Sequence, residues 1–139
     1  MKVVINTCYG GFGLSPKAYK KYLELQGREC YFFGHNLKER SIYRPVTLEN
    51  APKEFCLYVF DVPNPNDYEE NELYTEHHVY SRDLERNDPI LVQVVEELGE
   101  ESSGNYARLK IVEIPDGVDY EIEEYDGTEW VAETHRTWS

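Results

Sequence analysis

The chain has 139 residues, 40% of them apolar and 29% charged, with a net charge of −13 and three cysteines. That length supports one hydrophobic core and not two, and the apolar share is too high for a disordered chain. Residues 1 to 60 carry +4 and residues 61 to 139 carry −17, a balance that argues against non-specific nucleic-acid binding and against attraction to anionic membranes.

Met1 to Asn6 contains an apolar run of only three residues, Val3-Val4-Ile5. It reads as neither a signal core nor a membrane span, and the expected location is the cytoplasm. Cys8, Cys30 and Cys56 are odd in number and widely spaced, which suits reduced thiols better than a disulfide framework.

Lys2 to Thr7 is rich in β-branched residues and reads as a strand that the following glycines end. Ser15 as N-cap, Pro16 at the first position and Gly27 as C-cap then frame a helix over residues 16 to 26, with Ala18, Tyr19, Tyr22 and Leu23 at helical spacing. Cys30-Tyr31-Phe32-Phe33 predicts a short strand, and residues 45–48 and 55–60 predict one or two more. Asp61-Val62-Pro63-Asn64-Pro65-Asn66-Asp67 collects turn formers and leads into Tyr68-Glu69-Glu70-Asn71-Glu72, a long exposed loop that reads as a lid or an insertion.

A second helix is framed by Asp88-Pro89 and Gly99, with Leu91, Val94, Val95 and Leu98 as its apolar stripe. Strands over residues 107–114, 118–125 and 128–134, joined at Pro115-Asp116-Gly117 and Asp126-Gly127, predict a three-stranded meander. The expected architecture is a single α+β domain over residues 1–139, two helices packed on a mainly antiparallel sheet that ends in this meander.

The strand, glycine-rich turn and helix over residues 2 to 26 share the layout in which backbone N–H groups at a helix N-terminus cradle an anion. Gly10-Gly11-Phe12-Gly13 lacks the Lys-Ser/Thr of a P-loop, and Pro16 stands where a dinucleotide fingerprint needs glycine. The plain reading is a tight turn. The functional reading surrounds it with Cys8, Tyr9, Phe12 and Ser15 as stacking and hydrogen-bonding groups. Cys8 at a strand end also fits an activated nucleophile, although no residue declares itself as its base among His35, His77, His78 and His135. No ligand spacing for a metal appears, so neither metal nor cofactor is expected.

Arg82 and Arg86 precede the second helix and suit a phosphate or carboxylate, or equally Asp83, Glu85 and Asp88 beside them. A basic pocket from Lys17, Lys20, Lys21, Arg28, Arg40 and Arg44 is a further option. By the period of two, Asp119, Glu121 and Glu123 share a strand face that Glu129 and Glu133 extend, with Tyr120, Ile122, Trp130 and Ala132 turned to the core. His135-Arg136-Thr137-Trp138 closes the chain with an arginine among aromatics.

Cys8-Tyr9-Gly10-Gly11-Phe12-Gly13-Leu14-Ser15, Asp88-Pro89 with Val94-Val95-Glu96-Glu97-Leu98-Gly99, and Ile122-Glu123-Glu124-Tyr125-Asp126-Gly127 through His135-Arg136-Thr137-Trp138 together resemble a family of small bacteriophage and prophage proteins. The resemblance covers both ends of the chain and implies a phage origin rather than a particular activity. Small phage accessory proteins often antagonise host defence by sequestering a nucleotide immune signal or by masking a host protein.

The expectation is therefore a non-catalytic protein in the cytoplasm of an infected bacterium. It binds a small anionic, nucleotide-like ligand between Cys8, Tyr9, Gly10, Gly11, Phe12 and Ser15 on one side and Arg82 and Arg86 on the other. Alternatives are an acidic inhibitor or nucleic-acid mimic that binds a basic host protein, and a small enzyme using Cys8. Neither membrane nor direct nucleic-acid contact is expected, and self-association stays open.

Overall fold

A computed structural model describes residues 1–9, 11–35, 42–53, 57–105 and 107–133. Among them the order is β1 (Lys2–Asn6), α1 (Pro16–Leu25), β2 (Tyr31–His35), β3 (Tyr43–Val46), β4 (Tyr58–Phe60), α2 (Glu70–Glu72), α3 (Pro89–Leu98), β5 (Leu109–Glu113), β6 (Tyr120–Tyr125) and β7 (Thr128–Glu133). The strands pair antiparallel as β1–β5, β3–β2–β4 and β6–β7. The fold is α+β, as expected. Gly10, Arg40, Cys56 and residues 134–139, all singled out in the sequence, lie outside the described residues.

Both long helices begin where their caps place them. The Ser15 hydroxyl accepts from the Ala18 N–H at 3.1 Å, and the Asp88 carboxylate accepts from the Ile90 N–H at 2.9 Å, each satisfying a donor that the helix leaves unpaired. Ala18, Tyr19, Tyr22 and Leu23 of α1 and Leu91, Val92, Val94 and Val95 of α3 are buried in one cluster with Val4, Phe32 and Val59. A core of this kind supplies most of the driving force for folding.

The sheet β3–β2–β4 is covered on both sides. Phe32 stands opposite Val59 and Val46 and joins the helical core, whereas Phe33, beside Tyr58, turns to a second cluster with Phe60 and Leu73. Because side chains alternate along a strand, the apolar run Tyr31-Phe32-Phe33 feeds both layers. The stretch expected as a loop after residue 61 makes that second layer. It forms a turn at Pro65–Asp67, then α2, then a π turn over Leu73–His77, with Leu73 only 2% exposed.

The C-terminal strands stand near the expected positions, but β5 pairs with β1 instead of with β6, so β6–β7 is a separate hairpin and not part of a three-stranded meander. The reason lies in β1. Val3, Val4, Ile5 and Asn6 are all buried, so their backbone groups need partners along both edges. On one edge β5 runs from Lys2–Glu113 to Asn6–Leu109. On the other, the Val4 N–H donates to the Arg86 carbonyl at 2.8 Å and the Asn6 N–H to Glu129 Oε1 at 2.8 Å.

The hairpin corrects a second expectation. Glu123 lies opposite Trp130 and Glu124 opposite Glu129. Trp130 is thus on the acidic face, 43% exposed, its indole N–H donating to Glu123, while Glu129 is 6% exposed and faces the core. No helix among the described residues is long and apolar enough to cross a membrane.

Candidate functional site

The second face of β3–β2–β4 opens into a cleft of about 280 Å³ between the strands and the segment that covers them. His35, Tyr43, Asn66, Tyr68, Glu70 and Tyr74 line it. Strand register brings the first pair together, since His35 of β2 lies opposite Tyr43 of β3 and their rings stack at 6.0 Å. Tyr43 meets Tyr58 edge-on at 5.1 Å, and His35 Nε2 shares a 2.7 Å hydrogen bond with the Tyr58 hydroxyl. Across the cleft the Tyr43 and Tyr74 hydroxyls are hydrogen-bonded. Asn66 fixes the rim, accepting from the Tyr43 N–H at 2.9 Å and donating to its carbonyl at 3.0 Å.

These groups suit recognition of a planar, polar ring. Tyrosine faces stack on such a ring, and their hydroxyls, with the Glu70 carboxylate, supply acceptors and donors at its edge. Burial and the hydrogen bond to Tyr74 raise the Tyr43 pKa, so its phenol stays protonated near neutrality. His78 packs on Phe60 and Tyr74 behind the cleft, and burial lowers its pKa and favours the neutral ring. A second, more apolar groove of about 440 Å³ runs past Lys20, Cys30, Phe33 and Pro63. It lacks the converging polar groups of the first.

The glycine-rich turn and the arginine loop meet in space. The Arg86 guanidinium lies 3.6 Å over the ring of Phe12, and Arg82 Nη2 is 3.0 Å from the point where a Cβ on Gly11 would stand. Arg86 is nevertheless committed. It forks onto Glu129 at 2.5 and 2.9 Å, so this chain's own carboxylate stands where a ligand's acidic group would bind. The turn Asp126-Gly127 rests on the same segment: a Cβ on Gly127 would come within 2.3 Å of the Tyr9 carbonyl oxygen. Arg82 and Tyr9 are exposed, Tyr9 at 73%.

Both helix N-termini beside that segment are closed from within. The Ser15 N–H donates to the Ser102 carbonyl at 2.9 Å and its hydroxyl to the Glu101 carbonyl at 2.5 Å, while Asp88 caps α3 and accepts from the Tyr22 hydroxyl at 2.5 Å. Cys8 is a half-buried free thiol whose backbone N–H and carbonyl are both held by the Asn6 side chain. Burial pushes the Cys30 thiol up to about 12, which leaves it a poor nucleophile at neutral pH. Lys17, Lys21 and Arg28 each face a carboxylate of their own, Glu101, Glu97 and Asp61, and so do not pool into a basic pocket.

Sequence reasoning did not find the aromatic cleft. The signal was present in Tyr31-Phe32-Phe33, apolar on both faces, and in Tyr68, Tyr74, His77 and His78 inside a stretch otherwise rich in glutamate. A strand that is apolar on both faces demands a second covering layer. Compared with family models, with curated proteins and with solved structures, the chain matches none.

Proposed function

We propose that the protein is a binding module that holds the base end of a small nucleotide-derived molecule in the aromatic cleft and sequesters it without chemistry. The observation that carries this reading is the convergence of His35, Tyr43, Tyr68 and Tyr74 with the Glu70 carboxylate around one cavity. Its volume lies near the lower end of the range for small-molecule sites, about 300 to 1000 Å³, which suits a base or nucleoside rather than a whole dinucleotide. The tyrosines supply stacking faces, and Glu70 accepts from exocyclic amino groups. In the phage setting that the sequence motifs imply, such a module withdraws a host nucleotide immune signal. Calorimetric titration with nucleosides, nucleoside phosphates and cyclic nucleotides tests it. One of them binds, and Tyr68→Ala weakens that binding by about 1 to 3 kcal/mol, the usual worth of a stacked base. If none binds, the reading fails.

A second reading rests on the β6–β7 hairpin. Asp119, Glu121, Glu123, Glu124 and Asp126 are exposed along it beside Tyr125, which is 72% exposed, a surface suited to a basic host protein. Capture of such a protein would be lost at high salt and in Glu121→Lys/Glu123→Lys. Capture indifferent to both would contradict it.

A further inference from the structure

Glu72 ends α2, and Glu76 and His77 lie on the π turn that follows it. Its hydrogen bonds run five residues apart instead of four, so residues four and five positions on from Glu72 both come round beside it, a geometry that recurs at functional sites. One ligand atom from each of the three lies within 4.8 Å of the others. Among the described residues neither glutamate meets a lysine or arginine, so two carboxylates stand together without a cation.

A second relationship points the same way and comes from outside the trio. His77 Nδ1 is 2.9 Å from Asp61 Oδ1, and the other oxygen of Asp61 accepts from Arg28 Nε at 3.3 Å and Nη2 at 2.8 Å. A carboxylate paired with arginine accepts and does not donate, so it places the proton of a neutral His77 on Nδ1 and leaves the Nε2 lone pair for a metal. This carboxylate–histidine relay is how proteins orient imidazole ligands. Tyr68, a wall of the aromatic cleft, packs against the other side of His77 with ring centroids 4.7 Å apart.

We propose that Glu72, Glu76 and His77 bind a divalent transition-metal ion, with Asp61 and Arg28 as the outer shell that aims the histidine. Two carboxylates and one imidazole form a mixed oxygen and nitrogen set that favours zinc or manganese over magnesium, which prefers oxygen and retains its waters. The ion leaves coordination positions open to solvent and ties the end of α2 to the end of the π turn, fixing the wall that carries Tyr74. The site stands independently of what the cleft binds.

The test is calorimetric titration of the full chain, freed of metal with a chelator, using zinc, manganese and magnesium chlorides without any nucleotide. Cobalt chloride is followed in parallel by visible absorption. One equivalent of zinc or manganese binds more tightly than magnesium. Glu72→Gln/Glu76→Gln, which changes only exposed side chains, lowers the affinity at least about tenfold, and Asp61→Asn lowers it by about 10- to 100-fold as expected for an outer-shell partner. Glu100→Gln/Glu101→Gln, an exposed acidic pair elsewhere, binds as wild type. Absence of zinc and manganese binding, tighter magnesium binding, or equal loss in the two glutamine pairs would overturn the assignment.

Discussion

Arg86 and Glu129 form a two-pronged ion pair, 43 residues apart in the chain, in which Glu129 Oε1 also accepts from the Asn6 N–H of β1. The pair joins the loop before α3, the hairpin strand β7 and β1 in one polar knot, and Phe12 closes it from the side. Removing one partner strands the other charge in a buried setting, and such losses cost about 3 to 5 kcal/mol. Glu129→Ala and Arg86→Ala should each lower unfolding free energy by that order in urea titrations. Arg86→Met/Glu129→Met should recover most of the loss. Purely additive losses would show that the two residues act separately.

Gly127 tests how closely the hairpin turn rests on the glycine-rich segment. Asp126 and Gly127 both have positive φ, 54° and 91°, as a two-residue turn of this kind requires. A Cβ at Gly127 meets backbone within 3 Å, whereas one at Gly117, φ 79°, meets open space. Gly117→Ala should cost about 1 to 2 kcal/mol, the left-handed backbone penalty alone. Gly127→Ala should cost more than that and detach the hairpin, read as faster amide exchange in β7. Equal costs would place the hairpin away from Tyr9.

Tyr22 provides a pH-dependent contact. Its pKa is raised, first by burial and then by its hydrogen bond to Asp88. A group whose pKa rises on folding contributes stability that is complete below its unfolded value, about 10 for tyrosine, and is lost as pH climbs beyond it. Wild type should therefore lose stability above about pH 10 more steeply than Tyr22→Phe. At pH 7 the phenylalanine variant should be less stable by about 1.5 to 3 kcal/mol, the worth of a hydrogen bond to a charged group. Parallel pH curves for the two proteins would remove this contact from the account.

Cys30 should resist labelling. The Cys30 thiol, pushed up to about 12 by burial, should react slowly with an alkylating reagent at pH 8. Mass spectrometry after brief exposure should find Cys30 unmodified. Rapid labelling there would mean that the thiol is not held in the buried setting that raises its pKa.

How much of this could be read from the chain depends on whether the signal was local. Ser15-Pro16 and Asp88-Pro89 start helices through side chains that bond two or three residues on, so both helices appear within a residue of their expected limits. The β7 face was also legible. A two-residue turn at Asp126-Gly127 pairs Tyr125 with Thr128, hence Glu123 with Trp130, and a slip of one position sends Trp130 inward and Glu129 outward. The partner of β5 was not legible, because β1 lies about a hundred residues away and nothing in the turn at Pro115 specifies it. The aromatic cleft escaped for a related reason: Tyr43, Tyr68 and Tyr74 converge only once residues 65–78 fold back over β2.

The central claim is that the aromatic cleft, and not the segment under Arg82, receives the ligand. Protein NMR titrated with the nucleotide panel tests it directly. The account predicts saturable shifts in the resonances of Tyr43, Tyr68 and Tyr74 with those of Tyr9 and Gly11 unmoved. Shifts confined to Tyr9, Gly11 and Arg82, or none anywhere, would contradict it.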